Sequence, residues 1–224
     1  MAELPSDLIV PQRDDILGQA IPFDRERWLS HLPDAGWWPD ELDACPRVGR
    51  WHRVDRRTVF HVADRARTAV GRRQLLVASL VWGTGTKARS VDRRARIFRE
   101  STAVEIDTRL ASGLGLLQRR GAAPAYYTLN NDHHIPRLGA AFFTKVLYFA
   151  GHDQPVGRWR PLILDSVVAR ALRAADRGTR WPVRGWTTPQ YTRYLSLTHD
   201  HARQAGVLPD QVEAALFDYG KRLT

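Results

Sequence analysis

The segment AAFFTKVLYFAG, residues 140–151, constrains this chain more than any other, because nearly every side chain in it is apolar. A helix that is apolar all round has to be buried. With 12 residues it is also too short to cross a bilayer, which takes about 20. It must therefore form the interior of a globular core around which the rest of the chain packs. Thr144 and Lys145 are its main exceptions. Lys145 reads in two ways: as an ammonium that snorkels to water at the helix edge, or as an amine kept among apolar groups for its chemistry. The second reading needs a partner.

The flanks suggest one. PAYYTLNND (124–132) has the pattern of a short helix and IPRLG (135–139) that of a tight connection, so residues 124–151 read as helix, short hairpin, helix. A Gly- and Pro-rich loop, GHDQPVGRWRP (151–161), leads into LILDSVVARALRAADRG (162–178). There Val167, Val168, Ala171 and Leu172 recur at helical spacing behind Asp165. Asp165 or Ser166 opens that helix, and a plain N-cap would satisfy backbone donors and do nothing more.

The remainder is mainly helical in pattern. Asp64 to Trp82 reads as a helix with Val70, Leu75, Leu76, Ala78, Ser79 and Leu80 as its apolar positions, stopping at Gly83-Thr84-Gly85. Thr102 and Glu105 form a capping-box pattern for a helix to about Arg120, ended by Gly121. Thr187-Thr188-Pro189 starts another to about Gln204, closed by Gly206, and Pro209 begins the last. Six prolines between Pro5 and Pro46 break the first 60 residues into an irregular wrapping segment, with room for a short helix from Phe23 to Leu32. There is no repeat, low-complexity tract or evident strand pair. The expected architecture is mainly α: one unit over 1–224, with a helical core over 61–224.

Charge narrows the partner. The sequence carries 34 basic and 24 acidic residues, net +10, which favours a polyanion: nucleic acid first, an anionic membrane surface second. Lys87, Lys145 and Lys221 are the only lysines, against 31 arginines. A lysine in an unusual setting therefore invites a reason, since an amine can lose its proton and attack carbon whereas a guanidinium effectively cannot. The first 30 residues resemble neither a signal nor a transit peptide, and no stretch is apolar enough to span a bilayer, so a cytoplasmic location is expected. Cys45 is the sole cysteine, which excludes an internal disulfide, a cysteine-rich zinc site and a four-cysteine iron–sulfur cluster. His133-His134 and His199-Asp200-His201 lack a third ligand at recognisable spacing and read as surface or capping groups. No metal or cofactor is expected.

The order hairpin, lysine in an apolar helix, Gly/Pro-rich loop, aspartate resembles the helix-hairpin-helix DNA glycosylase superfamily with catalytic aspartate, in its 8-oxoguanine-glycosylase-like branch. The resemblance spans roughly 125–175 at motif level and is weaker from Leu75 onward. IPRLG stands at the hairpin, whose usual form is nearer LPGVG, and Gly151, Pro155, Gly157 and Pro161 stand in the Gly/Pro loop. Lys145 and Asp165 take the lysine and aspartate positions. Lys145 lies about one helical turn further from Gly139 than in the better-known members, similar to the lengthened hairpin of the archaeal enzymes.

The resemblance implies a two-lobed helical enzyme, monomeric and without cofactor, acting on double-stranded DNA that carries a modified base. That base is either an oxidised purine, in repair, or a modified base of phage DNA, in antiviral defence. The target nucleotide would be extruded, the Lys145 amine would attack C1′, and Asp165 would stabilise charge on the sugar. Strand cleavage by β-elimination can follow. Arg137 and Gly139 would meet DNA at the hairpin, with Lys87, Arg89, Arg93, Arg94 and Arg96 along the backbone and Arg47 to Arg57 as a second basic candidate. Trp82, Phe142 and Tyr148 would line the base pocket, unless such aromatics are simply core. The alternative is a non-enzymatic DNA-binding protein, with Lys145 contributing charge alone.

Overall fold

The computed structural model describes residues 4–5, 8–176 and 178–223. The chain is mainly helical. Its first part runs α1 (Arg13–Leu17), β1 (Ile21–Phe23), α2 (Arg25–Leu29), a 3-10 turn (Ala35–Trp37), α3 (Asp40–Asp43), β2 (Arg47–Val48), β3 (Trp51–Val54) and α4 (Arg56–Ala63). There follow α5 (Ala69–Trp82), α6 (Ala88–Glu100), α7 (Ala103–Arg120), α8 (Ala122–Asn130), α9 (Ala140–Gly151), α10 (Ser166–Ala175), α11 (Thr188–Ala205) and α12 (Pro209–Arg222).

Residues 8–60 are more ordered than their prolines suggest. Phe23 belongs to a strand, and the short helix expected from it is only α2. The three strands form an antiparallel sheet in the order β1-β3-β2, with Phe23 opposite His52 and Val48 opposite Trp51. Gly49 and Arg50 make the two-residue turn, and Gly49 supplies the positive φ of 62° that this tight connection needs. The Gly-Arg pair between short β-prone runs was the sequence signal for a hairpin. It is weak because the strands are so short.

Helix α5 also starts later than its pattern implies. Asp64 ends α4 as its C-cap and Thr68 caps α5 through the Gly71 N–H, so residues 64–68 connect two helices and α5 begins only at Ala69. Val70, on the first turn of α5, is exposed. The later boundaries follow their local chemistry: α7 has both bonds of the Thr102–Glu105 capping box, and Gly121 ends it at φ 87°. The α11 helix opens on a Thr187–Gln190 box and closes on left-handed Gly206.

Helices α4, α5, α7, α8 and α9 pack together, α10, α11 and α12 form a second group, and α8 against α11 joins them. One continuous apolar cluster runs through both groups. Phe142, Phe143, Val146, Leu147, Tyr148 and Phe149 of α9 are all buried in it, as the sequence of that helix demands. Among the described residues no helix is long and apolar enough to cross a membrane.

Candidate active site

Lys145 sits midway along α9 and is 5% exposed. Its Nζ donates one hydrogen bond, 2.8 Å, to the Ala141 carbonyl on the preceding turn. The Phe142 and Trp82 ring centroids lie 5.3 and 5.9 Å from it. Burial among these groups lowers the amine's pKa from 10.5, while Asp165 and Glu213 oppose that shift and Arg56 and Arg94 add to it. The result is an amine that loses its proton more readily than an exposed lysine.

The aliphatic stem of Lys145 needs room, and Gly83 provides it. A Cβ at Gly83 would come within 2.9 Å of Lys145 Cδ and Cε and of Phe142 Cε1. The sequence marks Gly83 as a helix stop, which it is. Its closeness to Lys145 is tertiary and leaves no local signal.

Asp165 does two things with two oxygens. Oδ1 accepts the Val167 and Val168 N–H groups and so caps α10. Oδ2 lies 3.8 Å from Lys145 Nζ. The cap and the chemical partner, which the sequence leaves as alternatives, are compatible because each occupies a different oxygen.

Their separation is set by the extended segment 162–164, which runs beside α9 with its backbone satisfied by side chains. The Leu164 N–H donates to Thr144 Oγ1 at 3.2 Å, and Thr144 in turn donates to the Ala140 carbonyl. Tyr191 Oη accepts from the Leu162 N–H and donates to its carbonyl, and Tyr194 Oη donates to the Ile163 carbonyl. Thr144, the other polar residue of the apolar helix, thus fixes where Asp165 begins.

A second pair of charges lies nearby. Arg56 and Glu213, each 2% exposed, meet at 3.0 Å, and Gln19 Oε1 accepts from Arg56 Nε and NH2 at 3.2 Å. The guanidinium stands 5.0 Å from the Trp82 centroid and 5.2 Å from that of Tyr148. Arg56 is therefore a buried structural cation and not part of the surface that the stretch Arg47 to Arg57 suggested. Nothing local in either sequence segment announces this pair.

The remaining candidates divide. Trp82 and Phe142 border the amine. Tyr148 does not: it is wholly buried, donates to Asp210 Oδ2 at 2.9 Å and packs on Phe60, Phe149 and His152, which leaves no ring face for a base. Lys87 at the N-cap of α6 and Arg89, Arg93 and Arg96 along it lie exposed, and no carboxylate pairs with them among the described residues. Arg94 is half-buried instead, 4.2 Å from the Phe142 centroid. In the hairpin, Gly139 precedes α9 and Arg137 has φ 66°, the left-handed conformation that favours glycine. Arg137 Nε bonds Glu100 at the end of α6, 2.7 Å away.

His199 accepts the Arg160 N–H and bonds the Leu195 carbonyl, and burial pushes it down to about 4. It is a neutral capping group. Among the described residues no cluster of three or more His, Cys, Asp or Glu could hold a metal.

A family model described as "Putative 8-oxoguanine DNA glycosylase OGG-like protein" matches residues 14–217. No curated protein and no solved structure matches the chain.

Proposed function

Since the chain belongs to the 8-oxoguanine DNA glycosylase OGG-like family, we propose that it excises a modified base from double-stranded DNA with Lys145 as nucleophile. The observation that carries this reading is the Lys145–Asp165 pair: a buried amine of lowered pKa, 3.8 Å from a carboxylate oxygen that its own helix cap leaves free.

The neutral amine attacks C1′ of an extruded nucleotide. The N-glycosidic bond breaks, its electron pair leaves with the base, and the base takes up a proton. Nζ then loses a proton, the C1′–O4′ bond breaks with its electron pair and a proton going to O4′, and the nitrogen lone pair forms the C1′=Nζ Schiff base. Water hydrolyses it, or β-elimination cleaves the strand first. Asp165 Oδ2 faces the region where positive charge develops on the sugar and stabilises it. The exposed residues of α6 hold the phosphate backbone through charge.

An oxidised purine is the first substrate to test, on the family's description. A modified base of phage DNA is the second, and a panel of duplexes carrying different modified bases, assayed for abasic sites, separates them. Borohydride reduction during turnover tests the mechanism. A covalent protein–DNA adduct, lost in Lys145→Gln, is expected. Base release without any adduct would remove Lys145 as nucleophile, and binding without base release from any duplex would leave a DNA-binding protein.

A further inference from the structure

Beyond the α6 face, a second basic element projects from the molecule. In the β2–β3 hairpin, residues 46–50 are all exposed, and Arg47 and Arg50 flank the Gly49 turn. Among the described residues neither has a carboxylate partner, although many of the chain's other arginines are absorbed in ion pairs. We propose that this hairpin is a DNA-gripping arm in which Arg47 and Arg50 bind the phosphate backbone of the duplex. The inference rests on the glycosylase reading for its choice of partner.

The arm is stiff. Arg53 N–H bonds the Pro46 carbonyl at 2.9 Å, His52 Nδ1 lies 3.1 Å from the Cys45 carbonyl, and the His52 ring packs on buried Phe23 at 5.7 Å. The base of the hairpin is thereby tied to the core while its tip stays free. The Arg50 guanidinium lies 4.0 Å from the Trp51 ring centroid, which holds it extended over a flat support at small cost in side-chain entropy. A planar guanidinium donates two parallel hydrogen bonds to a phosphate, so a pre-placed arginine suits a backbone contact better than a lysine.

Position supports the same partner. Strand β1 leads directly into α2, which packs on α6, and Arg27 of α2 donates to the Thr86 carbonyl just before α6. The sheet that carries the hairpin is thus linked through α2 to α6, and its strand β1 packs on α5. A membrane surface is the weaker fit, since Val48 is the only strongly exposed large apolar side chain on the hairpin.

The test is equilibrium binding of a lesion-free 20-base-pair duplex across a salt series, for the full chain and for the double variant Arg47→Ala/Arg50→Ala. Each lost phosphate contact flattens the slope of log affinity against log salt by about 0.9, so a fall of about 2 is expected. Arg47→Lys/Arg50→Lys keeps the charge and should restore most of the slope, which separates lost contacts from a damaged fold. An unchanged slope in the alanine variant would overturn the proposal, as would tight binding to phosphatidylserine vesicles with none to duplex. Because no base is excised in this measurement, a hairpin-dependent slope in a protein that never releases base would sink the glycosylase reading and leave the arm standing.

Discussion

Two pairs of opposite charge lie close together in this molecule and are built differently. Arg56 and Glu213 meet at 3.0 Å, with Gln19 taking two more guanidinium donors and aromatic rings on its flanks. Lys145 and Asp165 stand 3.8 Å apart; the amine has one hydrogen bond to its own helix, and the facing Oδ2 has none of the cap's bonds. In the first pair all three guanidinium nitrogens are engaged, by Glu213 and Gln19, and both side chains are buried. The second is buried enough to shift a pKa and keeps a carboxylate oxygen outside the helix cap, which suits the proposed chemistry. Burial of charge alone does not mark a reactive site; unused bonding capacity beside it does.

The sharpest break of this comparison is Lys145→Gln. Base release and borohydride trapping should both vanish while DNA binding persists, because the nucleophile goes but the volume stays. Thermal unfolding should show stability unchanged or improved, since a buried amine is removed. Single-turnover kinetics at an undiminished rate in the folded variant would end the assignment.

Arg56→Ala should act on the other pair and on stability first. It leaves Glu213 buried without its partner, which costs about 3–5 kcal/mol, whereas Arg56→Met with Glu213→Leu should cost much less. Denaturant titration of the single and double variants checks this. A single variant as stable as the parent would mean that the ion pair does not hold the fold.

Asp165→Asn separates cap from charge, because asparagine caps a helix about as well. Stability should move by no more than about 0.5 kcal/mol, while excision slows by about 10²–10³. The pH profile sharpens the point. On the proposed mechanism excision requires the neutral amine, so its rate should rise with pH through a midpoint below 10.5 and level off above it. The Asp165 charge raises the Lys145 pKa, so its loss should move that midpoint to lower pH. Stability obeys the same group: the unfolded lysine holds its proton up to about 10.4, the folded one releases it earlier, and stability therefore rises with pH across the interval between them. Lys145→Gln should abolish that rise.

The smallest effect belongs to Gly83→Ala, whose added methyl meets the flexible stem of Lys145. A displacement of the amine by about 1 Å should slow excision by up to about 10²-fold, with a lowered melting temperature because the buried Phe142 ring must shift as well. Equal slowing in Gly178→Ala, where an added Cβ makes only ordinary contact, would show that the effect is not steric.

What the sequence disclosed was what neighbours in the chain decide. The α7 capping box, the apolar α9, the Asp165 cap and the Gly206 stop are each written within a few residues, and each formed. The three-stranded sheet was missed because its strands are two to four residues long and β1 pairs with β3 across two intervening helices. Arg56 and Glu213 are 157 positions apart. No local pattern could reveal that one cancels the other, and in sequence Arg56 is one more arginine in a basic stretch. Tyr148 failed as a pocket residue for the same reason: its partner Asp210 lies 62 positions away.

The hydrogen bond from Leu164 to Thr144 has a consequence for how such a chain can diversify. It ties the start of α10 directly to α9, so the distance between Lys145 and Asp165 does not depend on the path the chain takes between them. Residues 153–158 of that connection are exposed. Insertions there lengthen a surface loop at small entropic cost, and a lineage could remodel what the enzyme touches around the DNA while inheriting its chemistry intact.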